Sequence, residues 1–268
     1  MRKQIEQCAN RNRVRADMRK CGNMCLYRRA LTGVLAVLLA VEISACGGKA
    51  KPGQETGVNQ KAEITQEKAS APVWKDMRPE RSMELSYAKQ FSVDYYDGGY
   101  DLIQVQDDST CLVVPEGAAV PEGLPASITV LQKPLDHVYL AATSAMDLIA
   151  ALGRVDRITL SGTKESGWYV DAARQAMEDG TLSYAGKYSA PDYEQILSSG
   201  CDLALESTMI YHVPDVKAQL EQLKIPVFVE RSSYEEHPLG RMEWIRLYGV
   251  LFDAEETAEQ LFQEQVQQ

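Results

Sequence analysis

From residue 125 onward the chain repeats one unit: a short apolar run, a polar loop, then a stretch of helical periodicity. This is the pattern of a parallel α/β sheet, whose strands are buried on both faces and need a crossover helix to return. Candidate strands fall at residues 128–131 with 138–141 close behind, then at 157–160, 181–184, 203–205 and 226–229. Helices are expected between them at 145–152, 169–178, 192–197 and 215–223. Gly153, Gly180 and Gly200 stand where helix ends favour a left-handed residue, and Pro191 and Pro214 where a first turn tolerates a missing N–H. Upstream, MELSYA (83–88), FSVDYY (91–96), DLIQVQ (101–106) and TCLVV (110–114) are separated by Asp-Gly-Gly and Asp-Asp turns. They predict antiparallel hairpins ahead of the α/β lobe. At the far end, residues 238–251 and 254–266 predict two helices joined at Phe252-Asp253, with Asp253-Ala254-Glu255-Glu256 in the form of a capping box.

The N-terminal part carries an address. Residues 31–41 form an eleven-residue apolar run behind Arg28 and Arg29, the layout of a secretory signal. A spanning helix needs about 20 apolar residues, so this run is too short for an ordinary anchor. Ile43-Ser44-Ala45-Cys46 then resembles the bacterial lipobox, which implies that Cys46 is diacylated and becomes the mature N-terminus. Met18 and Met24 stand as alternative starts. The expected organisation is a signal peptide (1–45), a lipidated flexible tether (46–75), a hairpin element (76–120), an α/β ligand-binding lobe (121–237) and terminal helices (238–268). The tether is rich in Gly, Lys, Gln, Glu and Thr and lacks the apolar surface to order itself.

Composition narrows the partners. Of 28 basic and 38 acidic residues, nine and three precede Cys46, so the remainder carries 19 against 35 and a net charge of −16. Such a balance disfavours nucleic acid and suits a domain held in solution beside a membrane. Past the lipid site only Cys111 and Cys201 remain, either as small hydrophobes or as a bridged pair.

Three stretches then carry a family resemblance: VYLAATSAMDLIAALGRVDRITLSG, YAGKYSAPDYEQILSSGCDLAL and LEQLKIPVFVERSSYEEHPLGRMEWIRLYGVLF. Their order and spacing resemble the N-terminal lobe of the ABC-transporter substrate-binding proteins for iron chelates and cobalamin, over about residues 128–265. The resemblance implies a Rossmann-like lobe, a single long connecting helix beginning near Ala254, and a second lobe that would follow Gln268 and is missing from this sequence. It also implies a ligand held between lobes and a membrane permease as partner. One departure is Cys201-Asp202 where the family commonly has Pro-Asp.

In an open parallel sheet ligands gather outside the carboxyl ends of the strands. Those places are polar here. Thr143 and Ser144 follow the first strand and offer hydroxyls while capping the next helix. Ser161 follows the second, Lys187 and Tyr188 the third, Ser207 and Thr208 the fourth, and Arg231, Ser232 and Tyr234 the fifth. Lys187 and Arg231 would place positive charge against an anionic chelate, Arg with a fork suited to paired oxygens. Tyr188 and Tyr234 add flat apolar surface.

Plainer roles compete with each. Thr143 and Ser144 suit simple caps, Lys187 suits a solvated surface, and Arg231 suits an ion pair with Glu235 or Glu236. Among the three histidines, His137 precedes a strand, while His212 and His237 lie on the ligand side and could meet a metal or haem iron directly. Glu194 aligns with the glutamate that, in the resembling family, meets an arginine pocket on the permease. It also suits a first-turn acid stabilised by the helix dipole.

Catalytic signatures are missing. No GxGxxG follows a strand, no GxSxG elbow occurs, and no HExxH or CxxC stands in the mature part. Gly180 to Lys187 imitates a phosphate loop, but five residues separate its glycines and Tyr188 replaces the hydroxyl residue. The expectation is therefore a non-enzymatic lipoprotein without a cofactor. It would sit outside the cytoplasm on its lipid, capture an iron complex such as a siderophore, haem or related chelate, and pass it to a permease. The rival expectation is a surface lipoprotein that uses one α/β lobe as an interaction module.

Overall fold

The computed structural model describes residues 71–106 and 109–268. The expected signal, the lipobox with Cys46 and most of the tether lie outside these residues. Among the described residues no helix is long and apolar enough to cross a membrane.

Two sheets share one core. The first has order β1-β2-β3-β4-β5, built from Pro79–Ser82, Phe91–Tyr96, Tyr100–Val105, Ser109–Val114 and Ile128–Gln132. β1 to β4 pair antiparallel, as the hairpin signals predict, but β5 joins β4 in parallel with Thr110 opposite Ile128. Residues 128–131, expected among the strands of the α/β lobe, thus belong to the first sheet. Along β2 the period of two turns Phe91, Val93 and Tyr95 inward. That face meets the lobe, and the other, with Tyr100, Leu102, Leu112 and Val114, is covered by Trp74, Met77 and Leu124.

The second sheet has order β12-β11-β6-β7-β8, and every pair in it is parallel. Its strands are β6 (Val138–Leu140), β7 (Ile158–Ser161), β8 (Ser183–Tyr184), β11 (Leu203–Ser207) and β12 (Val227–Glu230). A two-residue pair, β9 (Gly186–Lys187) and β10 (Ala190–Pro191), forms a separate hairpin. The chain winds outward from β6 through β7 to β8, then returns to β6's other side with β11 and β12. Strand order therefore reverses between β6 and β11, as in doubly wound sheets. Helices α1 (Thr143–Ala151) and α2 (Asp171–Glu178) pack on one face through Met146, Ile149 and Ala173. Helices α3 (Tyr193–Ser198) and α4 (Pro214–Gln222) pack on the other through Ile196 and Leu220. Helices α5 (Pro238–Leu251) and α6 (Glu255–Val266) bury Trp244, Tyr248 and Phe262 where the two sheets meet.

Punctuation holds at Gly153, Gly180 and Gly200, whose φ values are 67°, 75° and 69°, and Pro214 opens α4. Pro191 does not open α3; it lies in β10, and Asp192 is the cap, accepting from Gln195 N at 3.0 Å. The capping box at Asp253 is also absent. Asp253 takes a φ of 53°, its carboxylate binds Lys133 Nζ at 2.6 Å, and α6 starts without a side-chain cap. The corner is closed instead by Arg154, which donates to the carbonyls of Phe252 and Asp253, both at 3.0 Å. Cys111 lies on β4 and Cys201 ahead of β11, and no disulfide joins them.

Residues 83–88, expected as a strand, form with Lys89 and Gln90 a strap across α5. The buried Glu243 carboxylate accepts the backbone N–H groups of Ser86, Tyr87 and Ala88 at 2.8, 2.8 and 2.7 Å. Buried Glu235 accepts those of Lys89 and Gln90 at 2.8 and 3.0 Å, together with Trp244 Nε1 at 2.9 Å. N–H groups bound to carboxylates are unavailable to a ladder, so this segment does not become a strand. Each such charge-assisted bond contributes about 1.5–3 kcal/mol, which fixes the strap to the helix.

Candidate functional site

The carboxyl ends of β6, β11 and β12 come together beside the strand reversal. The N–H groups of Ala141 and Ala142 both reach the Leu205 carbonyl, at 2.9 and 3.1 Å, holding the α1 entry against β11. Past β11 the chain turns through a short 3-10 helix, Thr208–His212, and past β12 through Arg231 and a second, Ser232–Tyr234. The two turns touch: Thr208 Oγ1 lies 3.1 Å from the Tyr234 hydroxyl. The Arg231 guanidinium stacks over the Tyr234 ring at 4.5 Å and donates from Nε to Gln90 Oε1 at 3.2 Å. Tyr234 is 51% exposed, with Met209 at 44% and Tyr211 at 41% on the neighbouring turn. These give the two touching turns an exposed apolar rim.

Arg231 makes no ion pair with Glu235 or Glu236. Glu235 is occupied by the strap and Trp244, and Glu236 faces Lys89 at 3.5 Å. Neither Glu235 nor Glu236 therefore neutralises the guanidinium.

Other expected site residues have different fates. The α1 helix begins at Thr143 with Ala142 at its cap position, so neither Thr143 nor Ser144 caps it; both are exposed. Ser144 Oγ donates to Glu230 Oε1, and Glu230 Oε2 accepts from Ser232 N at 2.7 Å. Ser232 is buried beside that carboxylate and presents no open hydroxyl. Ser161 is fully buried: its Oγ donates to Thr163 O at 2.8 Å and accepts from Thr163 N and Trp168 Nε1 at 2.9 and 3.2 Å. It is a loop fastener, not a ligand contact. Ser207 Oγ accepts from Met209 N at 3.4 Å and starts the turn.

Lys187 is exposed on β9 and Tyr188 stands at the tip of the β9–β10 hairpin, past edge strand β8. The opposite edge is β12. The fold thus gathers Ser144, Thr208, Arg231 and Tyr234, while Lys187 and Tyr188 stand on a separate hairpin. The hairpin has a firm seat. Tyr139 donates its hydroxyl to the Gly186 carbonyl at 3.0 Å, and Gly186 has a φ of 80°. A Cβ on Gly186 would lie 2.4 Å from the Ala190 carbonyl oxygen.

His237 accepts from Leu239 N at 3.1 Å and stacks on Tyr87 at 4.9 Å, so its work is to cap α5. His137 lies 3.9 Å from Asp202, whose carboxylate also takes the N–H groups of Asp136 and His137. His212 is exposed at the end of its 3-10 turn. Among the described residues no group of three or more His, Cys, Asp and Glu is placed to hold a metal ion. Glu194 is exposed in the first turn of α3, with Leu197 48% exposed one turn later.

One group at this end of the sheet escaped the sequence reading. Glu206, next to last in β11, is fully buried, and neither carboxyl oxygen has a hydrogen-bond partner. Burial alone pushes its pKa up to about 8; burial first, and then the nearby Glu206 charge, raises the Tyr139 and Tyr193 hydroxyls. The signal was available: in LALES the strand period puts Glu206 on the inward face of Ala204.

No family model matches the chain. An uncharacterized lipoprotein of Methanocaldococcus jannaschii is 22% identical over 260 residues, covering 86% of this chain and 58% of that protein. The chain thus spans less than two thirds of the length of this curated relative. Among solved structures, it is similar to a periplasmic haem-binding protein from Pseudomonas aeruginosa, with 18% identity, a TM-score of 0.38, and coverage of 49% of this chain and 43% of the other. A periplasmic haem-binding protein of Vibrio cholerae gives 19% identity, 0.39, and 48% and 46% coverage. A periplasmic vitamin B12 binding protein of the same organism gives 19%, 0.36, and 50% and 49%.

Proposed function

We propose that this protein is the substrate-binding component of an ABC importer, held outside the cytoplasm by a lipid on Cys46. Its cargo is an iron complex, bound without covalent change and passed to a membrane permease. The observation that carries this reading is the cluster at the strand reversal: an Arg231 without an ion pair among the described residues, stacked on exposed Tyr234, beside Thr208 and the Met209 and Tyr211 rim. A cation on a flat apolar surface suits an anionic chelate with a hydrocarbon or aromatic body. The doubly wound sheet puts that cluster where ligands collect in such folds. The resemblance of the lobe's sequence supports the same role, and the lipoprotein relative supports the lipid anchor. Glu194 on exposed α3 is the proposed contact with the permease, and Lys187 with Tyr188 a second, peripheral contact with cargo.

Titration of the purified protein with ferric siderophores, haem and cobalamin, followed by tryptophan fluorescence, tests this reading. Saturable binding is expected, weakened strongly by Arg231→Ala and mildly by Lys187→Ala. Absence of binding to every chelate would overturn it. Glu194→Arg is expected to leave cargo binding intact while abolishing uptake in cells carrying the permease.

A further inference from the structure

We infer that Gln90 is a positioning residue that keeps Arg231 both oriented and charged, so that the site selects ligands bearing a two-oxygen anionic group such as a carboxylate. This deepens the proposed function and rests on it.

Gln90 belongs to the strap, not to the α/β lobe that supplies the rest of the cluster. Its backbone is held on both sides: its N–H binds Glu235 Oε1 at 3.0 Å and its carbonyl accepts Gln106 N at 3.0 Å. From that fixed point the side-chain carbonyl reaches Arg231 Nε at 3.2 Å, while Tyr234 supports the guanidinium plane. An arginine has five N–H donors in a rigid fork, and Nε is one of them. Holding Nε leaves the two terminal amino groups, and among the described residues Arg231 forms no ion pair. Two parallel donors on one planar cation match the two oxygens of a carboxylate.

The choice of an amide matters. A glutamate at this position would hold the same nitrogen but pair with the cation and cancel its charge. A glutamine orients without neutralising. Glu230, the adjacent acid, is already engaged by Ser144 and the Ser232 N–H.

The test compares Gln90→Glu, which is isosteric, with Gln90→Ala and Arg231→Ala. The probes are ferric citrate and haem, which carry carboxylates, and ferrichrome, a neutral hydroxamate chelate. Gln90→Glu is expected to weaken a carboxylate probe by about tenfold or more, since charge-assisted bonds are lost, and to leave ferrichrome unchanged. A merely structural glutamine would not separate the probes in this way. Equal affinity of Gln90→Glu and the unaltered protein for a carboxylate probe would overturn the inference, as would binding of ferrichrome alone by the unaltered protein. If the unaltered protein binds no chelate, the receptor reading fails instead. A ligand-free measurement then still bears on Gln90: the Arg231 Nε–H resonance is expected to exchange slowly with water and to lose that protection in Gln90→Ala. An unchanged exchange rate would overturn the positioning role by itself.

Discussion

Two fully buried glutamates in this protein live in opposite circumstances. Glu243, on α5, receives three backbone N–H groups and lies 3.2 Å from Arg246. Glu206, at the tip of β11, receives nothing. Both are 0% exposed. The first fixes the strap to the lobe; the second is pushed toward its neutral form by burial. Depth alone therefore does not decide whether a buried acid stabilises a fold. What decides is whether the fold supplies donors to replace lost water.

The largest expected effect breaks the satisfied side of this comparison. Glu243→Ala orphans three backbone N–H groups and leaves Arg246 without its buried partner, and should destabilise by about 3–5 kcal/mol. Urea unfolding is the measure, and a loss under about 1 kcal/mol would show that water replaces the carboxylate. Next comes the unsatisfied side. The folded pKa of Glu206, about 8, lies above the ordinary 4.5, so the native state holds its proton more tightly than the unfolded chain does. The stability from this group is fully present below pH 4.5 and is lost as pH rises through about 8. Glu206→Gln should therefore raise stability at pH 9 by on the order of 5 kcal/mol and change little at pH 4. A stability difference independent of pH would refute this.

A smaller effect is expected at the hairpin seated on Tyr139. Gly186→Ala meets both the left-handed backbone and the Ala190 carbonyl, and should destabilise by about 2 kcal/mol, with loss of order confined to residues 186–191 in amide exchange. The smallest is Trp244→Phe, which keeps an aromatic ring but removes the Nε1 bond to Glu235. It should reduce stability by about 1.5 kcal/mol and raise exchange at the Lys89 and Gln90 amides.

Much of the fold was legible because it is written in local pattern. The five parallel strands of the lobe needed only their apolar runs, and α5 appeared at its full extent from Pro238 to Leu251. Failures occurred where a distant partner overrode a local signal. MELSYA alternates like a strand, yet the N–H groups of its Ser86, Tyr87 and Ala88 are taken by a glutamate 155 to 157 residues away. Residues 128–131 sit next in sequence to the lobe but pair with β4. Asp253 has capping-box spacing, but Lys133 holds it in another conformation.

The candidate site divides the same way. Arg231, Tyr234 and Thr208 were visible as polar residues after strands, since every such loop starts at a carboxyl end. Ser161 and Ser232 satisfied the same rule and failed, because a hydroxyl's use depends on which N–H lies beside it. Gln90 gave no warning of its role, and Glu206 was marked only by its inward-facing place in LALES. The first contacts Arg231 across 141 residues, and the second matters only because no donor came to meet it.

By itself the sequence determined the alternation of strands and helices, the polar ends of the parallel strands and the acidic balance of the chain, because periodicity and charge act over a few residues. Tertiary structure alone decided which buried acids are satisfied, which strand joined which sheet, and which cation was left without an acid. Those outcomes depend on hydrogen-bond partners outside the local sequence, several of them more than a hundred residues away.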